Sequence, residues 1–240
     1  MSFPVRQAEL SELMDASDCD KSRLFATYRH FRWMNPVLGN WAYLLKQLII
    51  PYFRENPPTY NCIRLLDIGC GGGDVAKFLD SRLRKAGFKT MVTGIDPDGN
   101  AAEFRDDFAT FPSHFRFRQH FTHQFLGETF DLIITNHVIH HLRDNELTEL
   151  ANECERLNDG LVLWNDLKRS KTSWWLFSLI GWPLHMNSFA WEDGRVSIKR
   201  AFIMAELARL LPNNWEVSEH GLFRLAAILK KNNAGKDGLS

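Results

Sequence analysis

The stretch Leu65-Leu-Asp-Ile-Gly-Cys-Gly-Gly-Gly-Asp74 (LLDIGCGGGD) joins an apolar run to a glycine-rich turn. One carboxylate stands two residues before the glycines and another directly after them. Such turns between a strand and a helix bring bare backbone close to a ligand, and their N–H groups favour an anion. Asp67 and Asp74 oppose that preference: a diphosphate would meet negative charge, whereas a ligand carrying positive charge would be drawn in. Glycine at 69, 71 and 73 removes side chains where the ligand approaches.

Outward from this turn, strands and helices alternate. Residues 63–68 have the length and apolarity of a buried strand, and Val75, Phe78, Leu79 and Leu83 then recur at helical spacing until Gly87. Residues 90–96 predict a second strand, stopped by Pro97, and residues 101–108 a short helix. Further strands are expected at 115–121, 130–135 and 160–164, with Leu147, Leu150, Cys154 and Leu157 marking a helix before the last of these. A helix over 202–211 precedes strands at 215–218 and 223–229. Glu219-His220-Gly221 is too short for a crossover helix, so the final two strands should run antiparallel. The predicted class is α/β, Rossmann-like: a seven-stranded, mostly parallel sheet with an antiparallel last strand and helices on both faces.

Ahead of the sheet, Leu24, Tyr28 and Phe31, then Trp41, Leu44, Leu45, Leu48, Ile49 and Tyr52, share helical faces. Residues 1–58 are therefore expected to form an N-terminal helical cap, broken near Asn35-Pro36 and ended by Pro57-Pro58. Residues 59–230 would form the main domain, with an aromatic insert at about 170–200, and residues 231–240 a disordered tail.

Composition narrows the partners. Lys+Arg and Asp+Glu are 29 each, so no excess of positive charge argues for nucleic acid. Cys19, Cys62, Cys70 and Cys154 form no CxxC pair, which fits a reduced, cytoplasmic setting. The N-terminus lacks a signal peptide's basic-then-apolar pattern. The most apolar segment, residues 174–184 (WWLFSLIGWPL), falls short of the roughly 20 residues a span requires, which leaves peripheral membrane contact open.

In open α/β sheets ligands bind at the carboxyl ends of the strands, where Asp67 and the glycines lie. Residues 71–76 fit the looser GxGxxA dinucleotide fingerprint, but the flanking acids disfavour a pyrophosphate. Asp96, ending the second strand, suits the two hydroxyls of a ribose. Together these residues describe a nucleoside with a cationic substituent. Asp67-Ile-Gly69-Cys70-Gly71-Gly-Gly73, then Gly94-Ile-Asp96, then residues 130–136 (FDLIITN) resemble, in that order, the class I S-adenosylmethionine-dependent methyltransferases. The resemblance covers about residues 60–230 and is to the small-molecule branch (quinones, polyketides, phenolic lipids). It implies S-adenosyl-L-methionine as cofactor, with Asp67 near its amino group and Gly69, Cys70, Gly71 and Gly73 beneath it. Asp96 and Pro97 would lie at the ribose, and Asn136 beside the cofactor. Members often carry an acid after the third strand that accepts from adenine; here the chain reads His120-Phe121-Thr122-His123, leaving backbone groups or stacking on Phe121.

Residues 135–142 (TNHVIHHL) follow the fourth strand, and His137, His140 and His141 stand at i, i+3 and i+4. They read as structural, as a base beside the acceptor (His137 or His140, with His141 touching substrate), or as ligands of zinc or iron. No metal is assigned. Asp166, after the fifth strand, either contacts substrate or pairs with Lys168 or Arg169. The insert reads as a lid over Phe31, Trp33, Met34 and Trp41, with Trp174, Trp182 and His185 facing the acceptor and residues 193–198 (DGRVSI) forming a turn and strand. A pocket so lined predicts a hydrophobic or aromatic small-molecule acceptor, with O-methylation of a phenol or quinol favoured. The rivals are an NAD(P)-dependent oxidoreductase and a catalytically silent binding protein of the same fold. No base-flipping signature follows the fourth strand, and the oligomeric state is left open.

Overall fold

The computed structural model describes residues 3, 5–16, 18–125 and 127–231. Seven strands form one sheet: β1 (Ile63–Ile68), β2 (Thr90–Ile95), β3 (Phe115–Arg118), β4 (Phe130–Asn136), β5 (Asn158–Leu167), β6 (Glu216–His220) and β7 (Arg224–Lys230). Their order is β3-β2-β1-β4-β5-β7-β6. Strands β1 to β5 pair in parallel, and β7 runs antiparallel between β5 and β6. The expected hairpin is therefore present, with β6 at the edge, where charged Glu216 and Glu219 discourage further pairing. The third strand is shorter than expected, since after Arg118 the chain turns into a 3-10 helix at Thr122–Gln124.

The strand order reverses between β1 and β4, and register aligns Ile68 with Ile95 and with Thr135. The turn after β1 thus opens at the switch point, flanked by the ends of β2 and β4. Neighbouring residues of β1 feed opposite faces: Leu66 joins Ile133, Val162, Trp164 and Phe202, while Leu65 joins Val92, Ile134, Leu163 and Leu79. Each buried side chain of this size contributes about 1.5–3 kcal/mol, so the two layers fix the strand ends firmly.

The helices are α1 (Lys21–Leu38), α2 (Trp41–Leu44), α3 (Ile50–Glu55), α4 (Asp74–Lys85), α5 (Gly99–Phe108), α6 (Asp144–Leu157), α7 (Lys171–Ile180), α8 (Ala190–Arg200) and α9 (Met204–Leu210). A π-helical turn, Leu45–Ile49, joins α2 to α3. Asp20 caps α1 by accepting from the N–H groups of Ser22 and Arg23. Three expectations need correction. First, α1 runs through Pro36, whose ring costs only one intrahelical bond near the end, and the break comes at Gly39-Asn40, where Asn40 adopts φ 56°. Second, residues 5–16 are not part of a helical cap. They form a strap with one 3-10 turn, Leu13–Asp15, laid across α8: Gln7 N donates to Lys199 O (3.1 Å), and Leu13 N and Met14 N donate to Asp193 (2.7 and 3.0 Å). Third, residues 193–198 lie inside α8, where Gly194 marks close packing and not a turn: a Cβ there would sit 2.5 Å from the Phe177 ring. The expected tail falls, from residue 232 on, outside the described residues, as does the side chain of Trp33.

Candidate active site

A cavity of about 580 Å³ opens at the carboxyl edge of the sheet, within the range of small-ligand pockets. Its floor is the turn after β1. Gly69 adopts φ 67°, and a Cβ there would lie 2.4 Å from Val138 Cγ2, on the loop after β4. Gly69→Ala should therefore cost about 1–3 kcal/mol in urea unfolding, with any ligand of the turn bound more weakly as Val138 is displaced.

Asp67 is buried at the end of β1. It accepts from the backbone of Ala76 in the first turn of α4, yet its Oδ2 has no partner. Burial, with Asp74 and Asp96 nearby, pushes its pKa well above the ordinary carboxylate value. Asp74 Oδ2 is likewise buried without a partner, and burial raises that carboxyl to about 7. Asp96 is held by the N–H groups of Gly71 (2.8 Å) and Asp98 (2.9 Å), and Tyr28 Oη donates to Asp98 (3.1 Å). All four acids line the cavity, whereas Arg105 passes beneath to the Gly71 carbonyl. Orphaned carboxylate oxygens facing one space fit an ammonium or sulfonium and repel a diphosphate. The buried Cys70 thiol is pushed up by desolvation and by Asp67, so it fills space beside Arg105 and is no nucleophile.

The histidines divide the remaining work. His140 is buried; its Nδ1 lies 2.7 Å from Asp166 Oδ1, and its Nε2 3.3 Å from Glu12 Oε1, off the line of a hydrogen bond. Desolvation alone would lower its pKa, but Asp166 and Glu12 outweigh it and raise the group to about 9. Desolvation of Glu12 is in turn outweighed by His140 and His141, which hold that carboxyl at about 2. His141 lies 3.6 Å from Glu12 through Nε2 and 3.2 Å from Asp15 through Nδ1. His137, at φ 59° beyond β4, takes a hydrogen bond from Arg224 at Nε2 (2.9 Å). Desolvation, then Arg224, drives its pKa well below the ordinary value. Arginine only donates, so the His137 proton sits on Nδ1, and the expected role of His137 as a base is withdrawn.

Glu12, His140 and His141 bring ligand atoms within 4.8 Å of one another, as do His137, His140 and Asp166. In the first group Glu12 Oε1 already accepts from Ser197 Oγ (2.7 Å) with Arg200 at 3.9 Å; in the second, Arg224 holds His137. Arginines of the chain itself thus face candidate ligand atoms in both groups, and we assign no ion to either.

Asp67, Gly69, Cys70, Gly71, Asp96, Pro97, Asn136, His137, His140 and His141 all meet at the cavity. The other expected residues do not. Gly73 lies against Phe111 and Phe117. Phe121 is exposed and stacked on His123, because its N–H is tied to Gln124 (2.7 Å) after the short β3. Asp166 is buried behind His140, bonded to its Nδ1 and outside the cavity lining. Trp174 lies under Arg195 (4.4 Å), His185 pairs with Glu192 (2.9 Å) and Trp182 points to solvent, since the lid packs on α8. The cavity is lined instead by residues the sequence reading missed, among them Glu12, Met14 and Asp15 on the strap and Ser197 on α8. Asn136 Oδ1 accepts from Trp41 Nε1 (3.0 Å) and Arg224 (3.1 Å), locking the cap onto β4.

A family model described as "Methyltransferase domain" matches residues 24–214. The chain belongs to the methyltransferase domain family. Its match takes in the cradle, the histidine loop and α8, but not the strap. No curated protein sequence matches this methyltransferase. Among solved structures it is similar to the plantazolicin methyltransferase BpumL in complex with SAH, with 13% identity, a TM-score of 0.65, and coverage of 91% of this chain and 94% of that one. It is also similar to human N-acetylserotonin methyltransferase in complex with SAM (14%, TM-score 0.60, covering 87% and 56%). Magnesium protoporphyrin IX methyltransferase from Synechocystis PCC 6803 with bound SAH follows (14%, TM-score 0.52, covering 88% and 100%). At these identities the likeness establishes the fold.

Proposed function

We propose that this methyltransferase binds S-adenosyl-L-methionine and methylates a hydroxyl of an apolar or aromatic small molecule, a phenol or quinol being favoured. The observation that carries the reading is a single cavity joining the unpartnered Asp67 and Asp74 oxygens to His140, which Asp166 holds from behind. When bound, the cofactor supplies an electrophilic methyl group on a sulfonium. Asp67 would hold its ammonium, Asp96 its ribose, and the Gly69–Gly71 backbone would run beneath it. Met14 and Phe31 add apolar surface to the cavity wall, and Tyr28 lies at the ribose end beside Asp98 and Gly71. An acceptor phenol, with a pKa of roughly 10, must lose its proton as oxygen attacks. His140 Nε2, beside Glu12, is the site that takes it, and the three groups Glu12, His140 and Asp166 titrate as a unit.

The test is incubation with labelled cofactor and a panel of alkylated phenols, quinols, amines and a tRNA pool. Label on phenolic oxygen supports the proposal, whereas label on nitrogen or RNA alone rejects it. S-adenosylhomocysteine should raise the melting temperature and NADH should not; the reverse would favour the oxidoreductase reading. Proton linkage gives another expectation. A bound cation favours ionised Asp74, whose pKa is about 7 without ligand, so affinity should weaken as pH falls below 7. Calorimetry in buffers of different ionisation enthalpy would show proton release at pH 6.5.

A further inference from the structure

The lid helix α7 is amphipathic in an unusual sense: its inner face uses Trp174 and Phe177 against α8, and its outer face is also apolar. Trp175, Leu179 and Ile180 on α7, with Trp182 and Met186 in the following 3-10 turn, are between 61% and 78% exposed. Helix α7 starts four residues beyond β5, at the carboxyl edge of the sheet where the cavity opens. The same edge carries the exposed tip of the β6–β7 hairpin, Leu222, and the exposed end of α1, Val37 and Leu38. Two contacts join the end of β5, the hairpin and the turn after α1 at that edge. Lys168 N donates to Phe223 O (2.8 Å), and Gly221 lies so near Asn40 that a Cβ would be 2.8 Å from its Nδ2. A soluble surface seldom leaves so many large apolar side chains together without a partner.

We propose that this face docks on an anionic lipid bilayer, with Trp175 and Trp182 at the headgroup level and Leu179, Ile180 and Met186 below it. Charge selects this occupant. Residues 167–191 contain Lys168, Arg169 and Lys171 and no Asp or Glu. Arg169 is spent on Glu206, and Arg195 and Lys199 pack on the inner-face Trp174, so the cations beside the outer face are the exposed Lys171 and the partly exposed Lys168, which pairs with Glu219. A twofold contact with a second copy would set these cations against their own equivalents, whereas anionic headgroups attract them. Tryptophan suits the boundary, having an apolar ring and a polar N–H. No helix among the described residues is long and apolar enough to cross a membrane, so the contact is peripheral. An apolar acceptor dissolved in that bilayer would meet the same edge at which the cavity opens. Docking does not depend on the identity of the acceptor.

The test is co-sedimentation of the full chain with vesicles of phosphatidylcholine, alone or mixed with phosphatidylglycerol, at low and high salt. The protein should pellet with the mixed vesicles, release at high salt and show a blue-shifted tryptophan emission. Trp175→Glu combined with Leu179→Glu should weaken binding at least about tenfold, and Lys171→Glu at least about fivefold with a shallower salt dependence. The thermal shift with S-adenosylhomocysteine should survive in every variant, which separates failed docking from a failed methyltransferase reading. If the double variant does not fold, the Lys171 variant alone carries the test. Absence from both pellets, equal binding to neutral vesicles unaffected by these changes, or a dimer in light scattering that Leu179→Glu dissolves would each overturn the proposal.

Discussion

Asp67→Asn should lower S-adenosylhomocysteine affinity by a factor of roughly 10²–10⁴ while leaving the ligand-free protein as stable as before, or more stable. Loss of a buried partner to an ammonium costs about 3–5 kcal/mol, which sets the size of the affinity change. Stability moves the other way. The folded pKa of Asp67 is raised by burial, so its ionisation opposes folding at every pH above the unfolded value near 3.8. Asparagine removes that charge and keeps an acceptor for the Ala76 N–H. Calorimetric titration and melting curves of the ligand-free variant at pH 7 check both halves. A lowered melting temperature with unaltered affinity would reduce Asp67 to a helix cap.

His140→Ala should reduce turnover by roughly 10²–10⁴-fold with S-adenosylhomocysteine affinity close to the parent's, the loss expected for a general base. The pH profile is more discriminating than the magnitude. With a pKa of about 9, His140 is an imidazolium at neutrality, and only about one molecule in a hundred carries the basic form at pH 7. kcat/KM should therefore climb as pH rises towards 9 and level off above it. Glu12→Gln removes a carboxylate that raises this pKa, so the climb should move to lower pH. A purely structural Glu12 would lower activity equally at all pH values and leave the profile in place. Linkage gives the same group a second signature. The stability from its raised pKa is complete below about 6.5 and lost as pH rises through about 9, a loss absent from His140→Ala.

The cradle was legible because its parts are local. Asp67 and Asp96 stand at the ends of β1 and β2, and strand ends follow from the apolar run and the glycine or proline that stops it. Phe121 was misplaced because β3 is four residues long and the chain leaves the sheet early, which a run of alternating aromatics does not reveal. Gly194 was read as a turn, although inside α8 it makes room for a ring from α7. Glu12 and Asp15 were missed for a different reason. Residues 5–16 have neither helical nor strand periodicity, and a glutamate there looks like solvated surface until α8 and the histidine loop close over it.

Periodicity, glycine placement and the length of one hairpin connection thus settled the α/β sheet, its reversed last strand and the acidic turn at the switch point. These depend on backbone conformation within a few residues, and the chain spells that out directly. Folding in three dimensions brought a strap carboxylate beside His140 Nε2 and turned half of the lid tryptophans outward. Such outcomes depend on burial and charge contributed by segments far apart in the chain, 128 positions in the case of Glu12 and His140, and their pKa values exist only once those neighbours are in contact.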